Sequence, residues 1–554
     1  MVAKQKRTLP TDETESAHST LSAADAAASS AAANVADVSP DAASGLPNSQ
    51  PIAPGDDQPN APLDADAAHV ASAPRLPGAA PLPFSAWAPT WMARYLTWGW
   101  LRAATETALI AFGLVAQFFW LPHLIINQGY DGQVRFKMMN TLLGQGQLDG
   151  SRYSIYGPIF SAPLWYLGQV VGGAEYWLGR YNLLLLALAV AALYWLLRNH
   201  LDHTILRTFL LLLVAASMFP NHIENYYGEV FTALCVAVGL TLVVFRRRWG
   251  WVGVVIGVAN APATLAGLAF VTAKHLLQHR RLRVILVGVA AGALILLESW
   301  VRRGDPFNSG YGHDGGATTL MPFSGHSGFS YPFLFGVFSI LLSFGKGLFF
   351  YTPGILLPVR KRLLALGGAA RRQLLDLYGY WMLFLVGLVV IYAKWWAWYG
   401  GWFWGPRFFL IASIPASLAL AVWLHSRDQS LLANVVTLAV LLLTVWVGLD
   451  SAIFGQHDLS PVCRSNGYRL ETLCFYTLDF SALFHPFSLY WIHGFTPIFI
   501  AKEQLTTDSF WYAGYIGVVL LYLAAPLVWR IVRQVTALLR PAVKVYLQPG
   551  AWRV

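Results

Sequence analysis

Asp131 and Arg135 are the residues from which chemistry is most readily read. They lie in a polar, glycine-broken stretch, NQGYDGQVRFKMMNTLLGQGQLDGSRYSIYGPIFSAPLWYLG (127–168), that follows directly on an apolar span. If residues 131–143 form a helix along the membrane surface, the 100° step puts Gln133, Lys137, Asn140 and Thr141 on one side. Val134, Met138, Met139 and Leu142 fall on the other, and Asp131 and Arg135 lie among them. An acid and a base one turn apart then point into the protein. A charge at that depth is costly unless it is used. Two uses are open: a structural i,i+4 ion pair, or a general base taking a proton from a hydroxyl, with Arg135 tuning its pKa or holding phosphate.

Other ionisable groups recur in comparable settings. Arg152 and Tyr153 follow in SRYSIYGP, either lining a binding groove or anchoring the chain at the interface. FPNHIENYYGEVFTALCV carries His222, Glu224 and Glu229. An acid in the first turn of a helix is favoured by the dipole, which accounts for Glu229 without function. The three together could instead bind hydroxyl groups or a divalent metal, although their spacing matches no particular metal pattern. Lys346, in FSILLSFGKGLFFYTPGILL, sits between glycines inside an apolar run. Unpaired, it costs roughly 2.5–3.5 kcal/mol on insertion scales, and snorkelling is harder from mid-span. Lys394 and Arg407 bracket the aromatic loop AKWWAWYGGWFWGPRFFL. Phosphate is the natural partner for such cations, and arginine offers it bidentate donors. Arg407, at the rim, is preferred to Lys346 for that contact. His313, Asp314 and His326 share a glycine-rich loop, but pairs of the HxD kind arise readily by chance.

The elements that must position these groups follow from composition. The 554 residues are 56% hydrophobic and 12% charged, with mean hydropathy +0.49. A soluble domain carries about a quarter charged residues, so this is an integral membrane protein. The 23 tryptophans suit interfacial belts. Residues 1–93 hold four Lys/Arg against ten Asp/Glu, a net −6 that leaves +16 of the overall +10 for the remainder. Residues 1–90 are rich in Ala, Ser, Asp and Pro and lack apolar periodicity, so they are expected to be a disordered cytoplasmic tail. Residues 91–554 are expected to form an all-α polytopic domain of about twelve transmembrane helices. Asn260 and Pro262 interrupt the 250–275 segment, which is read as a hairpin of two half-length or tilted spans. Lys and Arg then gather on one side of the membrane, the cytoplasmic one, leaving loops 127–174, 302–332 and 450–511 together on the outer face. Cys463 and Cys474 share the last of these. They either pair, closing a loop worth roughly 3 kcal/mol, or are unrelated thiols; Cys235 is a small core residue. A basic membrane domain without an array of base-stacking aromatics excludes nucleic acid as the economical partner.

Over residues 100–450 the chain resembles GT-C-type glycosyltransferases, the multispanning enzymes of the protein-mannosyltransferase and aminoarabinose-transferase superfamily. The resemblance rests on the acid early in the first outer loop, with juxtamembrane helices expected there, on the GPR at 405–407, and on the topology. It implies transfer of a monosaccharide from a polyprenyl-phosphate carrier to an acceptor hydroxyl outside a bacterial inner membrane. Asp131 would be the base, and Arg407, Arg135, Lys346 and Lys394 would be the phosphate ligands. Arg152, Tyr153, Glu224, Glu229 and His222 would meet the substrate. The acceptor would be a glycan, lipid or protein. The second carboxylate often found beside the first is replaced by Gly132 and Gln133, which favours a single base over a metal-bridged pair. The resemblance fixes no cofactor; a divalent metal is the one candidate. No P-loop or dinucleotide fingerprint is present, consistent with a lipid-linked donor. The alternative is a transporter or lipid-carrier flippase, to which the broken hairpin is suited, although no repeat relates the two halves.

Overall fold

A computed structural model of the chain describes residues 99–123, 130–245, 247–310, 321–324, 326, 328–366, 370–401, 403–426, 429–455, 463, 470–487 and 506–546. The acidic tail (1–90), His313 and Asp314 lie outside them. Among the described residues the regular structure is helical throughout. In chain order come α1 (Gly99–Trp120), α2 (Tyr130–Gln145), α3 (Tyr156–Ile159), α4 (Ala162–Val171), α5 (Ala174–Gly179), α6 (Tyr181–Leu197) and α7 (His203–Ala215). Then follow α8 (Phe219–Ile223), α9 (Gly228–Val244), α10 (Gly250–Ala259), α11 (Leu265–His279), α12 (Ile285–Arg303), α13 (Phe333–Leu342) and α14 (Leu348–Tyr351). The chain closes with α15 (Arg360–Ala365), α16 (Arg371–Tyr392), α17 (Ser413–His425), α18 (Leu431–Ile453), α19 (Glu471–Tyr476) and α20 (Thr507–Tyr546).

Among the described residues six helical segments are long and apolar enough to cross a membrane, and α6, α7, α9, α10 and α13 are shorter apolar helices. The centre is α7 and α17, which pack on each other. Both are buried along almost their whole length; α17 is apolar nearly all round, as a buried helix must be, and α7 satisfies its buried Arg207 on Glu106 of α1. At the periphery, α12 shows Leu286, Val289, Leu297 and Trp300 outward, a surface suited to lipid. α20, at 40 residues, is about 60 Å long at 1.5 Å per residue, roughly twice the hydrocarbon thickness.

Two breaks in the helices matter for the site. The first is the interruption expected in 250–275: α10 ends at Ala259, a single 3-10 turn runs from Pro262 to Thr264, and α11 begins at Leu265. The second differs from expectation. Residues 333–357 read as one span, but the helix stops at Leu342 and resumes at Leu348. Across that gap the Gly345 amide donates to the Phe475 carbonyl of α19 at 3.0 Å. α19 is itself tied by the Cys463–Cys474 disulfide.

Candidate active site

α2 forms over the residues that the sequence assigns to a surface helix, with the expected polarity: Gln133 and Lys137 are exposed while Asp131, Arg135, Met138 and Met139 are buried. Its buried face looks onto a cavity of about 1070 Å³. Residues 152–154, the start of α9, the Asn260–Leu265 turn, the end of α12, the flank of α16 and residues 395–401 and 403–411 contribute to the wall. The lining mixes charged side chains (Asp131, Arg135, Arg152, Glu229, Glu298, Arg303 and Arg407) with apolar ones, among them Leu265, Ile295, Leu296, Phe384, Leu388 and Ile391.

Asp131 is held from two directions. Its Oδ2 lies 2.5 Å from Arg407 Nη1, and its Oδ1 accepts the Tyr153 hydroxyl. Arg407 also approaches Glu229 Oε1 at 3.5 Å, so one guanidinium serves two carboxylates. Arg152 Nη2 donates to the Tyr153 hydroxyl at 3.1 Å. The Arg135 guanidinium rests 4.7 Å above the Tyr153 ring, and that of Arg407 4.0 Å above Phe403. Asp131's ion-pair partner is therefore Arg407, 276 residues away, rather than Arg135 one turn along.

Burial alone would raise the Asp131 pKa, but the Arg407 and Arg135 charges and the Tyr153 hydrogen bond outweigh it and hold the carboxyl at about 2. Burial and the neighbouring Asp131 charge push the Tyr153 phenol up to about 12, so it stays a donor.

Several buried polar atoms of the site have no hydrogen-bond partner among the described residues: Arg135 Nε and Nη1, Arg407 Nε and Glu229 Oε2. A buried donor without a partner costs about 1–3 kcal/mol. All three side chains line the one cavity. Gly228 fits the same picture, because a Cβ there would stand 2.9 Å from Arg135 Nη2 and 3.0 Å from Asn260 Nδ2.

The structure thus gathers Asp131, Arg135, Arg152, Tyr153, Glu229 and Arg407 around one cavity. The remaining sequence candidates lie elsewhere. His222 bonds the Met218 carbonyl at 2.9 Å and packs its ring on Trp404. Glu224 is buried away from the cavity lining. Lys394 is exposed and contributes its backbone carbonyl to Tyr331. Lys346 occupies the gap between α13 and α14, where its ammonium donates to the carbonyls of Phe403 and Gly405. It braces the loop that carries Arg407 from behind. His326 stacks against Phe323, away from the cavity. Among the described residues no group of three His, Cys, Asp or Glu side chains is placed to hold a metal ion.

Three participants escaped the sequence reading. Asn260, expected only as a helix breaker, donates to the Gly228 carbonyl (2.9 Å) and Thr232 Oγ1 (3.0 Å) and accepts from the Gly157 amide (2.9 Å). It fastens α3, α9 and the α10–α11 turn together. Glu298 and Arg302 hold the segment bearing Tyr153. Their signal was present, as an acid and a base at i,i+4 closing an apolar span.

No family model matches the chain, and no curated protein matches it. Among solved structures it is similar to ArnT from Cupriavidus metallidurans, a crystal structure bound to undecaprenyl phosphate. The identity is 15%, the alignment covers 81% of each chain, and the TM-score is 0.44. At that distance the likeness decides nothing about the chemistry.

Proposed function

We propose that the chain is a GT-C-type glycosyltransferase that moves a monosaccharide from a polyprenyl-phosphate carrier to an acceptor hydroxyl on the outer face of the membrane. The observation that supports this reading is the mixed lining of the cavity. The Asp131 carboxylate and the Arg135 and Arg407 side chains share it with Leu265, Ile295, Phe384 and Leu388, which suits a ligand with an anionic head and a hydrocarbon tail. The acceptor oxygen attacks the anomeric carbon in line and its proton passes to Asp131. The bond from that carbon to the phosphate oxygen breaks, and polyprenyl phosphate leaves with the electron pair, with inversion. Arg407 and Arg135 meet the charge developing on the leaving phosphate. Glu229 and Tyr153 remain to meet substrate hydroxyls.

The ion pair imposes a condition on this chemistry. A carboxylate held at about 2 is a poor base near neutral pH. A phosphate that draws Arg407 toward itself relaxes that hold, so donor binding raises the Asp131 pKa and makes it a better base. The acid limb of kcat then lies at higher pH than the acid limb of kcat/KM, since the first reports the bound enzyme and the second the free one.

The test uses the purified full chain and Asp131→Asn, each incubated with radiolabelled polyprenyl-phosphate sugars and a membrane extract as acceptor. Release of polyprenyl phosphate by the wild type alone supports the proposal. No turnover with any donor, together with saturable movement of labelled lipid across liposomes that Asp131→Asn leaves intact, would replace it with a transporter.

A further inference from the structure

Tyr153 reaches Asp131 from a segment with no regular structure of its own. Residues 146–155 lie between α2 and α3 without helix, yet the Tyr153 hydroxyl must be held to within a few tenths of an ångström to keep its bond. The restraint comes from the end of α12. Arg302 Nε donates to the Asp149 carbonyl at 2.9 Å, its Nη1 to the Tyr153 carbonyl at 2.6 Å, and its Nη2 to the Ser151 carbonyl at 3.2 Å. One guanidinium thereby gathers three alternate carbonyls. Glu298, one turn earlier, takes the other side: its Oε1 accepts the Ile155 amide at 2.7 Å and its Oε2 the Ser154 hydroxyl at 2.8 Å. The two side chains pair at 2.7 Å, with only 1% of Arg302 and 7% of Glu298 exposed.

A buried ion pair is an expensive way to anchor a loop to a peripheral helix, because its desolvation cost can exceed its Coulombic gain. Its placement indicates a second purpose. Every backbone group it captures lies within four residues of Tyr153, while the rest of α12 presents apolar side chains outward. We propose that Glu298 and Arg302 are positioning residues: they hold segment 149–155 so that the Tyr153 hydroxyl rests on Asp131, and thereby set the protonation behaviour of that carboxylate. The catalytic meaning of this clasp rests on the function proposed above, but the linkage itself does not.

The groups facing Asp131 are Arg135 on its own helix, Arg152 and Tyr153 from the segment, Tyr227 and Glu229 at the start of α9, and Arg407. Of these, the clasp holds the segment through its backbone, and Arg302 Nη2 also meets Met138 Sδ of α2 at 3.1 Å; loosening it should reproduce the loss of the Tyr153 hydroxyl.

The experiment reads Asp131 directly. Full-length protein in detergent is treated at pH 5 with a water-soluble carbodiimide and an amine, which label protonated carboxyls. The peptide containing Asp131 is then followed by mass spectrometry. Tyr153→Phe is expected to label about tenfold faster than wild type, the change that a one-unit pKa rise gives at fixed pH. Arg302→Ala should match it, Arg302→Lys and Glu298→Gln should fall between, and Arg302→Ala combined with Tyr153→Phe should label no faster than either alone. Variants that retain the wild-type thermal transition but label Asp131 at the wild-type rate would overturn the proposal. So would a double variant whose labelling multiplies the two single effects. No sugar donor enters this assay. A protein without transferase activity that still shows the pattern keeps the clasp and loses the function; the reverse loses only the clasp.

Discussion

Asp131 and Glu106 are both buried carboxylates served by two arginines, and they are put to opposite ends. Glu106, on α1, has its needs met within the protein: Oε1 accepts Arg102 Nε at 2.9 Å and the Tyr522 hydroxyl at 2.8 Å, and Oε2 accepts Arg207 Nε at 2.6 Å. These partners join α1, α7 and α20, Arg102 reaches on to His425 of α17, and none of these residues lines the cavity beside Asp131. Around Asp131 some hydrogen-bonding capacity is left over: Arg135 Nε and Nη1, Arg407 Nε and Glu229 Oε2 have no partner among the described residues, and the side chains that carry them line the cavity. Buried charge therefore does not distinguish a site from a staple. Unspent hydrogen-bonding capacity beside a cavity does.

Removing each carboxylate in turn gives the largest contrast. Asp131→Asn is expected to lower single-turnover sugar transfer by about 10²–10⁴, the range for loss of a general base, and to lose about 2 kcal/mol of stability with the ion pair. Glu106→Gln should also lower the melting temperature in detergent, but transfer per folded molecule should stay within about twofold. Equal losses of transfer from both substitutions would erase the distinction.

The arginine shared by two acids comes next. Arg407→Ala is expected to cut kcat/KM by about 10²–10³ through lost charge stabilisation and to weaken undecaprenyl phosphate binding. It should also destabilise the fold by about 3–5 kcal/mol, because Asp131 loses its ion pair while buried. Arg407→Lys should restore most of the stability and little of the rate, since a point charge does not replace a planar fork. Full rate with lysine would show that Arg407 is a staple of the Glu106 kind.

How far the site could be read from the sequence follows the same division. The face of α2 was readable because a helical period places Asp131 and Arg135 among methionines, and periodicity survives in a single sequence. Arg407 was readable because a cation after a glycine- and proline-bearing loop stands out in an apolar chain. Lys346 looked identical by that criterion, yet its partners are the carbonyls of Phe403 and Gly405, brought to it by a helix break that the hydropathy of 333–357 conceals. The partnership of Asp131 with Arg407 spans 276 residues, and no local pattern encodes a contact of that range. Glu298 and Arg302 lay within reach, but their spacing suggests an ion pair and says nothing of the backbone carbonyls that the pair collects.

The smallest effect concerns pH and stability. The Asp131 pKa is depressed from 3.8 to about 2 in the folded protein. Its carboxylate therefore stabilises the fold fully above the unfolded value, and that contribution is lost as pH falls through the folded value. The shift corresponds to about 2 kcal/mol at neutral pH. The melting temperature of the wild type should exceed that of Asp131→Asn by a near-constant margin above pH 4, and the two should converge between pH 4 and pH 2. Undecaprenyl phosphate should move the convergence to higher pH, because a phosphate that engages Arg407 weakens its hold on Asp131. If the margin responds to pH but not to the lipid, Arg407 serves the carboxylate alone, as Arg207 serves Glu106, and the phosphate binds elsewhere in the cavity. If the curves run parallel from pH 5 to pH 2, the ion pair contributes nothing to folding, and its close geometry belongs to the chemistry alone.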